Sequence, residues 1–138
     1  MNTFLETVAT ATKMVAQGKL NGAFITSGPG MGKLNAVLET LEQLNKTNRS
    51  FRMGLMVDDG VVAVLNQIVV ARLQGWIAVV DLDGVNMASD NVQTILTELA
   101  GIVDGFGGVI FTLTGSTAGV PQKLLNRTFN IDAVNLAG

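Results

Sequence analysis

Ala23-Phe24-Ile25-Thr26-Ser27-Gly28-Pro29-Gly30-Met31-Gly32-Lys33-Leu34-Asn35 joins an apolar run to a glycine-rich turn with one lysine. Downstream, Leu34, Val37, Leu38, Leu41 and Leu44 recur at helical spacing. Strand, glycine loop, lysine, helix is the order of parts that a phosphate-binding loop needs. Glycines let successive backbone N–H groups turn inward around phosphate oxygens, where a side chain would block the approach. The helix that follows points its positive N-terminal end at the same place, and Lys33 adds a movable point charge for the outer phosphates. Gly28, Pro29, Gly30, Met31, Gly32, Lys33, Leu34 and Asn35 are therefore the expected binding segment. The full pattern wants Gly where Ser27 stands and Ser or Thr where Leu34 stands, so the usual protein hydroxyl for magnesium is missing. As a bare string, the cluster also fits a plain strand-to-helix turn; residues downstream weigh against that.

A chain of 138 residues suits one domain, 1–138. With 48% apolar and only 14% charged residues it is greasy, which points to buried strands or an assembly surface. A net charge of −2 gives no basic footprint for generic nucleic-acid binding. Cysteine, histidine and tyrosine are all absent. Disulfides, thiolate chemistry and a histidine base are excluded, and losing three residue types at once is compatible with an engineered or simplified chain. Met1 to Lys19 reads as an amphipathic helix rather than an apolar segment behind basic residues, so no secretory leader is expected. Nothing is long and apolar enough to cross a bilayer; a cytoplasmic chain is the expectation.

Along the chain, Thr3 to Glu6 fits a capping box ahead of Phe4, Val8, Ala11 and Val15 on one helical face. Asn45 to Ser50 reads as a polar turn and Phe51 to Val57 as a second strand. Asp58 or Asp59 is expected to cap a helix carrying Val62, Leu65, Ile68, Val69 and Arg72. Trp76 to Asp81 is an almost continuous apolar run, the mark of a strand covered on both faces. Ser89 or Asp90 opens a helix through Val92, Ile95, Leu96, Leu99 and Ile102. Val109 to Leu113 is a fourth strand, Pro121 to Asn126 a short helix, and Phe129 to Leu136 a final strand. Strands alternating with helices imply a parallel three-layer α/β sandwich.

Asp81 closes a buried strand, and ligands of parallel sheets sit at such carboxyl ends. A carboxylate there can hold magnesium through its water shell; a plain turn cap is the alternative. The order of elements resembles the AAA+ branch of P-loop ATPases over most of the chain. That family's loop often reads Gly-Pro-Pro-Gly-Thr-Gly-Lys-Thr, matched by Ser27 to Leu34. Its second motif, four apolar residues before Asp-Glu, is matched by Ile77 to Val80 and Asp81, with Leu82 in the place of the catalytic glutamate. Thr114 stands where the family senses the terminal phosphate. Pro121, Leu124, Leu125, Arg127 and Phe129 resemble the stretch whose arginine reaches a neighbouring subunit's nucleotide.

The resemblance implies a five-stranded parallel sheet ordered 5-1-4-3-2, with ATP and Mg2+ as ligands. Lys33, Asp81, Asp83, Thr114 and Arg127 take the catalytic positions, and Asp81 is the metal ligand. It also implies a monomer or weak homo-oligomer, because the family's helical lid is not expected within these residues. Hydrolysis is expected to be weak, since Leu34 and Leu82 remove a metal ligand and the group that orients water. Asp83 either substitutes for the glutamate or belongs to an ordinary Asp83-Gly84 turn; Arg127 and Thr114 have equally plain readings as a surface ion-pair partner and a turn former. The loop also looks like Gly-Gly-Pro-Gly-Ser-Gly-Lys-Gly-Thr of small nucleotide kinases. Those enzymes clamp two substrates with several arginines, and here only Arg49, Arg52, Arg72 and Arg127 occur. A third reading is a structural α/β domain whose loop is vestigial or designed. ATP over GTP rests on the resemblance, because Asn45-Lys46-Thr47-Asn48 only approximates a guanine-reading motif.

Overall fold

β1 (Gly22–Ser27) is buried along its whole length, because strands lie on both sides of it and helices cover both faces. The computed structural model describes residues 3–133. Among them five parallel strands form one sheet in the order β2-β3-β4-β1-β5, the expected arrangement. β2 is Asn48–Arg52, β3 Ile77–Asp81, β4 Val109–Thr114 and β5 Phe129–Asp132. Buried parallel strands need no polar face, which is why Ala23 to Ile25 and Ile77 to Val80 lack alternation.

Period two still sorts their side chains. Ala23, Ile25, Ile77, Val79 and Ile110 pack under α1 (Thr3–Ala16) and α2 (Lys33–Gln43). Phe24, Ala78, Val80, Val109 and Phe111 pack under α4 (Val61–Leu73), α5 (Asp90–Phe106) and the short α6 (Gln122–Leu125). The Phe24 and Phe111 rings stack there with centroids 5.4 Å apart. The expected faces of α1 and of most of α5 hold: Phe4, Val8, Ala11 and Val15 are buried, as are Val92, Ile95, Leu96 and Leu99. Ser89 caps α5 by accepting the N–H of Val92.

Three local expectations are corrected. β2 lies earlier than 51–57, over Asn48–Arg52, and Met53–Met56 is a helical turn, α3. β2 is an edge strand with only Phe51 buried. Its polar residues hide it from an apolar-run criterion; the pairing of Asn48 to Arg52 with Ile77 to Asp81 is what makes it a strand. Asp58 and Asp59 do not cap α4. They sit in a 3₁₀ turn (Val57–Asp59), and the cap position falls on Gly60 at φ 101°. The buried face of α4 is Val64, Ile68 and Ala71, whereas Val62 is 70% exposed; a helix apolar nearly all round carries no stripe to choose from. β5 is seen over Phe129–Asp132, and the expected continuation from 134 through Leu136 lies outside the described residues.

Arg72, near the end of α4, donates to the carbonyls of Gly107 (2.6 Å), Trp76 (2.6 Å) and Phe106 (3.2 Å). It ties two helix ends together at the amino edge of the sheet, where a cation suits helix C-termini. Burial lowers its pKa from the usual value. Among the described residues no helix is long and apolar enough to cross a membrane.

Candidate phosphate-binding site

Parallel crossovers bring the carboxyl ends of β1, β3 and β4 to one edge, and the glycine loop leaves the tip of β1 there. Gly30 and Gly32 turn it with φ of 71° and 78°, a left-handed conformation that side chains disfavour. Gly32 is the cap of α2, which has no side-chain cap bond and no acidic residue in its first turn. The helix start is therefore left with free N–H groups and no carboxylate in its own first turn to occupy them. A Cβ at Gly28 or Gly30 would meet nothing within 4 Å, so the space above the loop is open.

Lys33 opens α2 yet is only 6% exposed. Its Nζ donates to Thr114 Oγ1 at 2.6 Å, crossing from the start of α2 to the tip of β4. Asp83 grips the same threonine with both oxygens: Thr114 N–H donates to Oδ1 at 2.6 Å and Thr114 Oγ1 to Oδ2 at 3.0 Å. Asp81 is half-buried at the end of β3, and its Oδ1 accepts from Thr112 Oγ1 at 3.2 Å and from the Asp83 N–H at 3.1 Å. Its Oδ2 has no donor among the described residues. Lys33, Asp81, Asp83 and Thr114, spread over the sequence, thus gather at one edge of the sheet.

Leu82 goes the other way. It is fully buried in the cluster beneath α4 and α5, on the face opposite Asp81, as strand alternation requires. Leu34 and Met31 pack beside Leu5 against the α1 layer, while Pro29 and Asn35 are exposed. Arg127 is not at this edge of its own chain. It precedes β5, whose Phe129 pairs with Ala23 near the start of β1. β1 runs about 17 Å from there to the loop at ~3.3 Å per residue. Arg127 Nε donates to Asp104 Oδ2 at 2.6 Å, both side chains being well exposed.

Two side-chain roles were not legible in the sequence. Ser27 is fully buried; its hydroxyl donates to the Gly28 carbonyl at 2.8 Å, and its carbonyl accepts the Gly115 N–H at 2.9 Å. Thr112 steadies Asp81; its period-two spacing from Thr114 gives its side of the sheet but not that role. Among the described residues no group of three or more carboxylates gathers to hold a metal. Asp81 with its free oxygen suits a magnesium ion that keeps most of its waters and takes other ligands from phosphate. Leu34 offers such an ion nothing.

No family model matches the chain, and no curated protein matches it. Among solved structures it is similar to C. elegans PCH-2, an AAA+ ATPase, with a TM-score of 0.60 and 17% identity. The match covers 94% of this chain and spans 41% of that one. At that identity the likeness is one of fold alone, an α/β domain built on a five-stranded parallel sheet.

Proposed function

We propose that this chain is a nucleotide-binding P-loop domain that holds ATP or ADP on the backbone N–H groups of Gly30 to Leu34, with weak or no ATP hydrolysis. The observation that carries the reading is Lys33, a buried ammonium held at the mouth of an open glycine loop by a hydroxyl from a distant strand. A buried lysine needs hydrogen-bond partners for its ammonium, and the single side-chain bond of Lys33 among the described residues, to Thr114, leaves two of its three protons for a ligand on the loop. The fold likeness to an AAA+ ATPase supports the choice of an adenine nucleotide.

Asp81 would hold a bound magnesium ion through water, and the ion would neutralise phosphate charge during phosphoryl transfer. Lys33 supplies charge at the outer phosphates and the loop supplies position. Neither Leu82, turned into the core, nor a histidine can take a proton from an attacking water. Arg127 could reach only a neighbouring copy's nucleotide, because it lies at the far edge of its own sheet. The exposed loop places Asp83 near the phosphates, so a residual rate would be traced to it. Turnover of a second substrate, as in nucleotide kinases, has less support because Arg72 and Arg127 are already engaged away from the loop.

The test is Lys33→Ala. Titration calorimetry should show ATP affinity falling at least tenfold, about 1.4 kcal/mol, with the circular dichroism spectrum unchanged. Unaltered affinity in a folded variant would place the nucleotide elsewhere.

A further inference from the structure

Two groups share the hydroxyl of Thr114, and simple counting fixes its proton. Lys33 Nζ lies 2.6 Å from Oγ1 and Asp83 Oδ2 lies 3.0 Å from it. An ammonium can only donate, an ionised carboxylate can only accept, and a hydroxyl has one proton. The chain of bonds therefore runs from Lys33 to Thr114 to Asp83, and Thr114 has no proton left to offer. Asp83 is held in that role by its second bond, from the Thr114 N–H at 2.6 Å, and by the turn in which its own N–H binds Asp81.

We propose that Asp83 is a positioning residue that, by taking the hydroxyl proton of Thr114, tunes this site to a nucleoside diphosphate over a triphosphate. The inference rests on the nucleotide reading above and adds the class of nucleotide. A phosphate oxygen bonded to Lys33 comes within about 5 Å of Thr114, given a bond of ~2.8 Å at the ammonium. A diphosphate satisfied by loop N–H groups and Lys33 asks nothing of that threonine. A third phosphate extends towards the tip of β4, where it meets lone pairs instead of a donor, with a carboxylate directly behind them. Binding it well requires Thr114 to turn its proton away from Asp83. Register sets the arrangement: Leu82 is in the core, so the acidic group that reaches the threonine is Asp83, one residue later.

The experiment compares ATP and ADP affinities by calorimetry, with a chelator present and no magnesium, so that neither turnover nor a bridging metal intervenes. The parent should bind ADP at least as tightly as ATP. Asp83→Ala should raise the ATP-to-ADP affinity ratio about tenfold, the order expected of one hydrogen bond to a charged group, while ADP affinity moves less than about threefold. In a Thr114→Val background the same substitution should give no such gain, and Thr114→Ser, which keeps the hydroxyl, should restore it. A parent that prefers ATP tenfold, or a ratio unmoved by Asp83→Ala while ADP still binds, overturns the proposal and leaves the nucleotide reading standing. An equal gain in the Thr114→Val background overturns the proton account in favour of plain charge repulsion. Absence of binding by either nucleotide, in parent and in Asp83→Ala alike, overturns the nucleotide reading and this inference with it.

Discussion

Replacing Leu82 by glutamate would recreate the Asp-Glu pair of active AAA+ ATPases in sequence, and the structure predicts that it destroys stability without restoring hydrolysis. The Leu82 side chain has no exposed surface and belongs to the core beneath α4 and α5. A carboxyl group forced there stays neutral. Bringing a glutamate of ordinary pKa ~4.3 to its neutral form at pH 7 costs about 3.7 kcal/mol, at 1.36 kcal/mol per unit. Lost apolar packing adds about 2 kcal/mol, the low end for truncating a buried leucine. The sum approaches the whole stability of an ordinary domain, about 5–15 kcal/mol. Its pH dependence identifies the cause. A carboxyl whose pKa is raised by folding binds more protons in the folded state, so its variant loses stability as pH rises from ~4.3 towards the folded value. Urea unfolding of Leu82→Glu should therefore show a deficit about 2.7 kcal/mol smaller at pH 5 than at pH 7, with Leu82→Met nearly neutral as the control. A variant with parental stability at both pH values and faster phosphate release would refute the orientation assigned to residue 82.

The loop glycines should separate by conformation. Gly32→Ala forces a side chain into φ 78° and should cost about 1–2 kcal/mol in urea unfolding; Gly28→Ala meets nothing within 4 Å and should change stability by less than about 0.5 kcal/mol while weakening ATP binding. Leu34→Thr should make ATP affinity more dependent on magnesium by returning the missing hydroxyl, and equal dependence in parent and variant by calorimetry would count against that. Arg127→Ala should lower stability by less than about 1 kcal/mol, since its bond to Asp104 is largely exposed. If Arg127 serves a second copy, light scattering should show ATP-linked self-association in the parent and none in the variant; no change of mass in the parent leaves Arg127 a surface residue.

What the sequence alone determined was wherever a local signal was strong. The apolar runs of β1, β3 and β4 and the glycines after Ser27 specify strand, loop and helix start without reference to distant residues. The single apolar stripes of α1 and α5 likewise settle which side faces the sheet. Alternating elements then leave few parallel arrangements, and the order that the family resemblance implied is the one the sheet adopts. Tertiary structure decided the cases in which local signals were weak or tied. β2 is a strand because β3 offers it hydrogen bonds, and α4 chose Val64, Ile68 and Ala71 only when α5 and the sheet excluded its other apolar faces. The bond between Lys33 and Thr114 spans 81 residues, and that between Thr114 and Asp83 spans 31. No periodicity encodes such distances. The twist and register of the assembled parallel sheet brought these side chains within reach of one proton, and turned Leu82 away from it.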